Sequence, residues 1–173
     1  ESVEFYSTLR ALKSIDQCNV AILVVDVVQG MDKQDLRILD QIIERRKGVV
    51  LVCNKWDAVE NDDKTATEYE KNIRSLLRIY DYIPIVFISA LERQRIFRVI
   101  TDAQRVHSEL NKRVSTNKLN KLLLDEIKRT PPSSVSGKEI KINYVTQVAV
   151  NPPVITFFCN EPKLVQENYK RFL

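Results

Sequence analysis

Three short apolar runs limit what this chain can fold into more than anything else in it. Val20–Asp26 reads VAILVVD, Val49–Asn54 reads VVLVCN, and Ile85–Ala90 reads IVFISA after Pro84. Each is rich in β-branched residues and apolar at consecutive positions. A strand with one wet face alternates, so runs apolar on both faces suit a parallel sheet covered by helices on each side. The stretches between them have helical spacing. Lys33–Arg46 sets Leu36, Leu39, Ile42 and Ile43 on one face, Glu68–Tyr80 carries Ile73, Leu76, Leu77 and Tyr80, and Arg95–Leu110 carries Ile96, Val99, Ile100 and Val106. Gly48, behind the basic Arg45-Arg46-Lys47, is expected to end the first of these helices. The series is β-α-β-α-β-α, an α/β layered sheet with right-handed crossovers.

After residue 110 the pattern changes, so the chain divides into 1–110 and 111–173. Ser115 or Thr116 can cap a helix that carries Leu119, Leu122, Leu123 and Ile127 and stops near Pro131-Pro132. Pro131–Gly137 reads as a loop. Ile140–Val148 and Val154–Cys159 read as two strands around Asn151-Pro152-Pro153, with a helix expected from Lys163. This is the pattern of a small α+β domain. Charge divides at the same place: residues 111–173 hold 11 Lys or Arg against 5 Asp or Glu, and residues 1–110 hold 16 against 18. A basic second module suits a polyanionic partner such as RNA, and equally an ordinary solvated basic face.

Composition excludes several classes. No run approaches 18 apolar residues, which argues against a membrane span. Gly30, Gly48 and Gly137 are the chain's 3 glycines. They are too far apart for a phosphate-cradling loop, which needs two glycines followed by Lys-Ser or Lys-Thr. Cys18, Cys53 and Cys159 lack the close pairing of a zinc site, so no metal site is expected; they read as reduced structural thiols, and a cytoplasmic setting follows. The single His107 lies in a polar helical stretch and reads as a surface residue. The chain begins at Glu1 with no basic-then-apolar leader and is expected to be an internal fragment.

The chemistry is concentrated in Asn54-Lys55-Trp56-Asp57, directly after the second run. A carboxylate just past a strand's end can accept from guanine N1–H and N2–H₂, a donor pair that adenine lacks, so Asp57 discriminates by leaving wrong bases unpaired. Lys55 has a long apolar stem that can lie over the purine plane. Asn54 donates and accepts and can tie neighbouring loops together. The alternative is an accidental polar turn after a strand. Ser89-Ala90 ends the next run, where a small-residue turn can present a backbone N–H to guanine O6. Ligands of open α/β sheets sit beyond the carboxyl ends of the strands, where both elements lie. Asp26, which matches neither element, reads as structural.

Asn54–Asp57 and Ser89-Ala90 resemble the guanine-specificity motifs of translation-factor-type GTPases. Glu4–Arg10 (EFYSTLR), Gly30–Leu39 (GMDKQDLRIL) and Val52–Asp57 (VCNKWD) look like the second GTPase domain of the Der (EngA) family. Lys141–Gln147 (KINYVTQ), Pro152–Asn160 (PPVITFFCN) and Tyr169–Leu173 (YKRFL) resemble that family's C-terminal KH-like domain. The resemblance implies part of a P-loop-GTPase-type layered sheet in 1–110, without phosphate loop or switches, and a KH-like domain in 111–173 truncated at its C-terminus. It implies a GTP hydrolase acting in late assembly of the large ribosomal subunit, with GTP or GDP and Mg²⁺ as cofactors and ribosomal RNA as partner. Asn54, Lys55 and Asp57 then bind guanine, and Ser89, Ala90 and Leu91 form the supporting loop. No group that performs phosphoryl transfer lies in this stretch, so the fragment alone is expected to be inactive. Leu91-Glu92-Arg93 stands where the family pattern has Leu-Thr-Gly. The KH-like part has no Gly-x-x-Gly clamp for single-stranded RNA, since Gly137 is isolated. Phe157, Phe158, Tyr144 and Tyr169 are stacking candidates, with the core as the alternative. Lys112, Arg113, Lys118, Lys121, Lys138 and Lys141 are candidate RNA phosphate contacts, with solvation as theirs. An RNA- or ribosome-docking module that binds no nucleotide is the competing reading of the fragment.

Overall fold

The computed structural model describes residues 2–59, 63–77, 80–135 and 137–173, the side chains of 2–8 and 63–65 excepted. Helix α1 (Ser2–Gln17) leads into β1 (Val20–Asp26), α2 (Lys33–Glu44), β2 (Gly48–Asn54), α3 (Asp63–Leu77), β3 (Ile85–Phe87) and α4 (Ile96–Leu110). Helix α5 (Thr116–Arg129), β4 (Ile142–Ala149), β5 (Val154–Cys159) and α6 (Glu167–Phe172) follow. Two compact units result, residues 1–109 and 110–173. The architecture is α/β throughout the first, and a small α+β unit forms the second.

In the first unit β1, β2 and β3 form one parallel sheet with β2 in the centre. Because successive side chains point to opposite faces, β2 feeds two cores. Val49, Leu51 and Cys53 pack with Leu23 and Val25 of β1 against Leu39 and Ile42 of α2 and Ile73 and Leu77 of α3. Val50 and Val52 pack with Val86, Ile88 and Val99 of α4 on the reverse face. This double burial is what the unbroken apolar run requires. β1 departs from the expectation of cover on both faces: Ile22 and Val24 remain 47% and 53% exposed. The reason is geometric. β1 lies at the end of the strand order, and on this face the cluster under α4 takes in Val20 of β1 but not Ile22 or Val24.

Several boundaries differ from the sequence expectation. Residues 2–17, outside the apolar runs and the helical stretches between them, form α1, whose apolar stripe is thin: Leu12 and Ile15 reach the core while Leu9 is exposed. Gly48 does not end α2 but opens β2. The left-handed residue behind α2 is Arg46, at φ 57°. The Arg46 amide donates to Ile43 O at 2.8 Å and the Lys47 amide to Ile42 O at 3.1 Å, which closes the helix end. The third run makes only three residues of strand before the chain turns away at Ile88. Of the helix expected over Glu68–Tyr80, residues 78–79 lie outside the described residues, as does residue 136 of the expected 131–137 loop.

In the second unit Ser115 is the cap of α5, its Oγ accepting from the Lys118 amide at 3.4 Å. β4 and β5 pair antiparallel. Ile127, Ile142 and Val145 form the core with Leu123, Leu124, Phe157 and Tyr169 packed around it. The helix expected from Lys163 is instead a short 3-10 turn, Pro162–Leu164, followed by α6 from Glu167.

Candidate functional site

Three strand ends meet at one edge of the parallel sheet. Asp26 and Asn54 are register partners at the ends of β1 and β2. The backbone binds the edge together: the Val27 amide donates to Asn54 O at 3.0 Å, Ile88 N–H to Cys53 O at 2.9 Å, and Trp56 N–H to Ile88 O at 3.0 Å. Lys55 turns the chain with a left-handed backbone (φ 67°, ψ 34°) into a 3-10 turn over Trp56–Ala58. That kink sends Trp56 down into the core while Asp57 stays at the rim. Trp56 packs on Phe87 with ring centroids 4.5 Å apart and meets Tyr69 at 5.7 Å. Tyr69 of α3 donates its hydroxyl to Val27 O at 2.9 Å, so one ring cluster also secures the turn after β1.

Asn54 Oδ1 accepts from the Ala90 amide at 3.0 Å. This is the tie between loops expected of Asn54, and it occupies the amide of Ala90. Ser89 is fully buried; its Oγ accepts from the Glu92 amide at 3.0 Å, and its backbone pairs with Gln94 in both directions. Leu91 stands at the exposed tip. Arg93, where the family pattern has glycine, sits at φ 59°. An L-residue there is strained by about 1–2 kcal/mol. Arg93→Gly is therefore expected to raise stability by about 0.5–1 kcal/mol once glycine's extra chain entropy is subtracted. A urea midpoint that falls on this change would refute strain at the position.

Asp57 stands apart from its neighbours at this edge. Its Oδ1 is buried and has no hydrogen-bond partner. A buried acceptor left without a donor costs about 1–3 kcal/mol, so such an oxygen calls for a hydrogen-bond donor. The paired donors of a guanine edge, N1–H and N2–H₂, fit that need, whereas adenine offers an acceptor at N1. Lys55 is exposed, and its Nζ lies 2.6 Å from Asp26 Oδ2. Asp26 Oδ1 in turn accepts from the Val28 amide at 2.9 Å. The Lys55 ammonium foremost, with the Val28 amide second, holds the Asp26 carboxyl below the usual range. Reading Asp26 from sequence missed this partner; its place at a strand end beside Asn54 was the available signal. Burial pushes the Cys53 thiol up to about 12, leaving it an inert core group. Among the described residues no set of three or more His, Cys, Asp or Glu is placed to hold a metal ion. Nor is any described helix long and apolar enough to cross a membrane.

The basic residues of the second unit are spread over it. Lys138 pairs with Glu161 at 3.2 Å and Lys141 with Glu139 at 3.1 Å. Arg113 Nη2 donates to Gln147 O at 3.5 Å. Lys118 and Lys121 are exposed on α5, and Lys112 is exposed before it. Of the four aromatics, Phe157 and Tyr169 belong to the core. Tyr144 and Phe158 do not: they are cross-strand partners on the outer face, 45% and 51% exposed, with ring centroids 5.5 Å apart.

Residues 113–173 match the family described as KH-domain-like of EngA bacterial GTPase enzymes, C-terminal. Proteins named GTPase Der from Chloroherpeton thalassium and Pelodictyon phaeoclathratiforme are 47% and 44% identical over 173 and 171 residues, which is 100% and 99% of this chain. Over its whole length the chain is similar to GTPase Der proteins. It spans 40% and 39% of the length of those two Der relatives. Residues 113–173 thus match a KH-like domain, which follows the layered α/β unit in sequence. Among solved structures, Aquifex aeolicus Era bound to GDP and AlF4⁻ is similar at 17% identity and a TM-score of 0.48, with 93% of this chain and 59% of that one covered.

Proposed function

We propose that this chain is the base-selecting part of a Der-type GTP hydrolase that acts in late assembly of the large ribosomal subunit, in the cytoplasm. The observation that carries the base reading is the buried, unpartnered Oδ1 of Asp57 at a strand-end edge where Asn54 already ties the two loops together. In this reading Asp57 accepts from guanine N1–H and N2–H₂. Asn54 holds the Ser89–Leu91 turn beside the base, and Lys55 lies along the purine. Bound GTP with Mg²⁺ supplies the phosphoryl group transferred to water and the charge that neutralises it. The groups that position those phosphates belong to the phosphate loop and switches of the complete protein, so these 173 residues select a base and do not hydrolyse GTP by themselves. The deciding experiment is competition for a fluorescent guanine nucleotide on the complete protein. GDP is expected to displace it and ADP to fail at a hundredfold excess or about that. Equal displacement by the two would refute the assignment.

A second reading concerns residues 111–173 alone. The exposed Tyr144–Phe158 pair, on a unit with 11 basic and 5 acidic residues, favours docking on ribosomal RNA without any nucleotide. Affinity of the complete protein for large-subunit RNA is then expected to fall steeply as salt rises. A salt-independent affinity would count against it.

A further inference from the structure

Lys55 leaves the end of β2, yet its ammonium ends at Asp26, at the end of β1. The two strands are parallel neighbours, in register from Val20 with Gly48 to Asp26 with Asn54. The four-carbon stem of Lys55 is therefore laid across the gap between two strand ends, on the edge that carries Asp57. Asp26 is itself held. One carboxylate oxygen is fixed by the Val28 amide at 2.9 Å and the other faces the ammonium at 2.6 Å. The turn behind it is fixed again by the Gly30 amide on Asp26 O and by Tyr69 on Val27 O, both at 2.9 Å. An exposed ion pair contributes little to folding, and a free lysine side chain loses much rotamer freedom when it is pinned. A clamp that has already pinned it removes that cost from binding.

We propose that Asp26 is a positioning residue for the base site, holding Lys55 by its ammonium so that the lysine stem is in place as the flank of the purine. The inference rests on the guanine reading of Asp57. It extends that reading to a residue outside both base-recognition motifs. Two features make Asp26 suited to the role. The carboxylate stays ionised, because its hydrogen bonds hold it below the ordinary carboxylate range. Its second oxygen is committed to the backbone, so the group cannot swing away from the strand end.

A double-mutant cycle on GDP affinity, read by calorimetry on the complete protein, tests this. Asp26→Asn and Lys55→Ala are each expected to weaken GDP about fivefold, and the double variant to be no weaker than Lys55→Ala alone. The ratio of GDP to IDP affinity is expected to stay at its wild-type value in Asp26→Asn, because Asp57 is untouched. Asp26→Glu, which keeps the charge, is expected to recover affinity to within about twofold of wild type. Additive losses of about 25-fold in the double variant would overturn the proposal. So would full GDP affinity in either single variant. Asp26→Glu as weak as Asp26→Asn would assign the loss to the turn at Val28 and likewise overturn it. Asp57→Asn measured alongside separates the two ideas. If it leaves the preference for GDP over XDP intact, the guanine reading itself fails. If the preference shifts while the cycle is additive, only the role of Asp26 falls.

Discussion

Asp57→Asn in the complete protein is expected to cost about a hundredfold or more in GDP affinity and to bring XDP binding up to or above it. The size follows from the position of the group. Asp57 has an oxygen buried without a donor, so whatever meets it must bring a hydrogen-bond donor. An amide in its place keeps one acceptor oxygen and turns the other into an NH₂ donor, so one of guanine's N1–H and N2–H₂ is left donor against donor. Xanthine carries a carbonyl at C2 in place of the amine and turns the same amide into a partner. A merely structural Asp57 gives a different result: affinity for all nucleotides falls together, or none changes. Competition of GDP, IDP and XDP against one fluorescent probe distinguishes the cases. Unchanged discrimination would remove Asp57 from base recognition.

The same residues show where sequence reading works and where it stops. The second apolar run is legible because burial on both faces leaves no polar position inside β2, whereas β1 is as apolar although Ile22 and Val24 stay about half exposed. Once the runs are parallel neighbours, the polar residues that close them must share one edge. That reasoning locates Asn54, Asp57 and Ser89. It does not say which side chain meets which. The bond from the Ala90 amide to Asn54 and the pairing of Lys55 with Asp26 depend on rotamers and on a left-handed turn at Lys55, for which a lysine gives no local sign. Glycine marks such turns at Gly30 and Gly137 but not at Gly48, an ordinary strand residue, while Arg46 and Arg93 also take left-handed positions. The backbone bonds that close these turns are local, Arg46 N–H to Ile43 O and Gln94 N–H to Ser89 O, and residue propensity does not record them. Exposure was equally hidden. Tyr144 and Phe157 look alike in sequence, yet one register step places them on opposite faces of the hairpin.

Register also explains why a polar residue inside β4 matters more than its apolar neighbours suggest. Gln147 → Leu is expected to destabilise the second unit by roughly 3 kcal/mol, although leucine is close in size and the site is buried. Gln147 is 5% exposed and lies on the inner face with Val145. Its Oε1 accepts from the Val114 amide at 2.7 Å, and its Nε2 donates to Lys112 O and Ala149 O, each at 3.2 Å. One side chain thus satisfies three backbone groups and fixes the segment leading into α5 against β4. Leucine supplies none of these bonds, and the groups it leaves behind are unpaired, so the loss exceeds that of three ordinary hydrogen bonds exchanged with water. Asn120 does similar work at the strand backbone, donating to Val145 O at 2.7 Å and accepting from the Val145 amide at 2.9 Å. The comparison that isolates Gln147 is Lys118→Ala, an exposed change on α5 expected to stay within about 0.5 kcal/mol. Amide hydrogen exchange read at Val114 should accelerate in Gln147→Leu and not in Lys118→Ala. Equal protection of Val114 in both would mean that the apolar packing of Ile127, Ile142 and Val145 holds this unit together without the Gln147 amide.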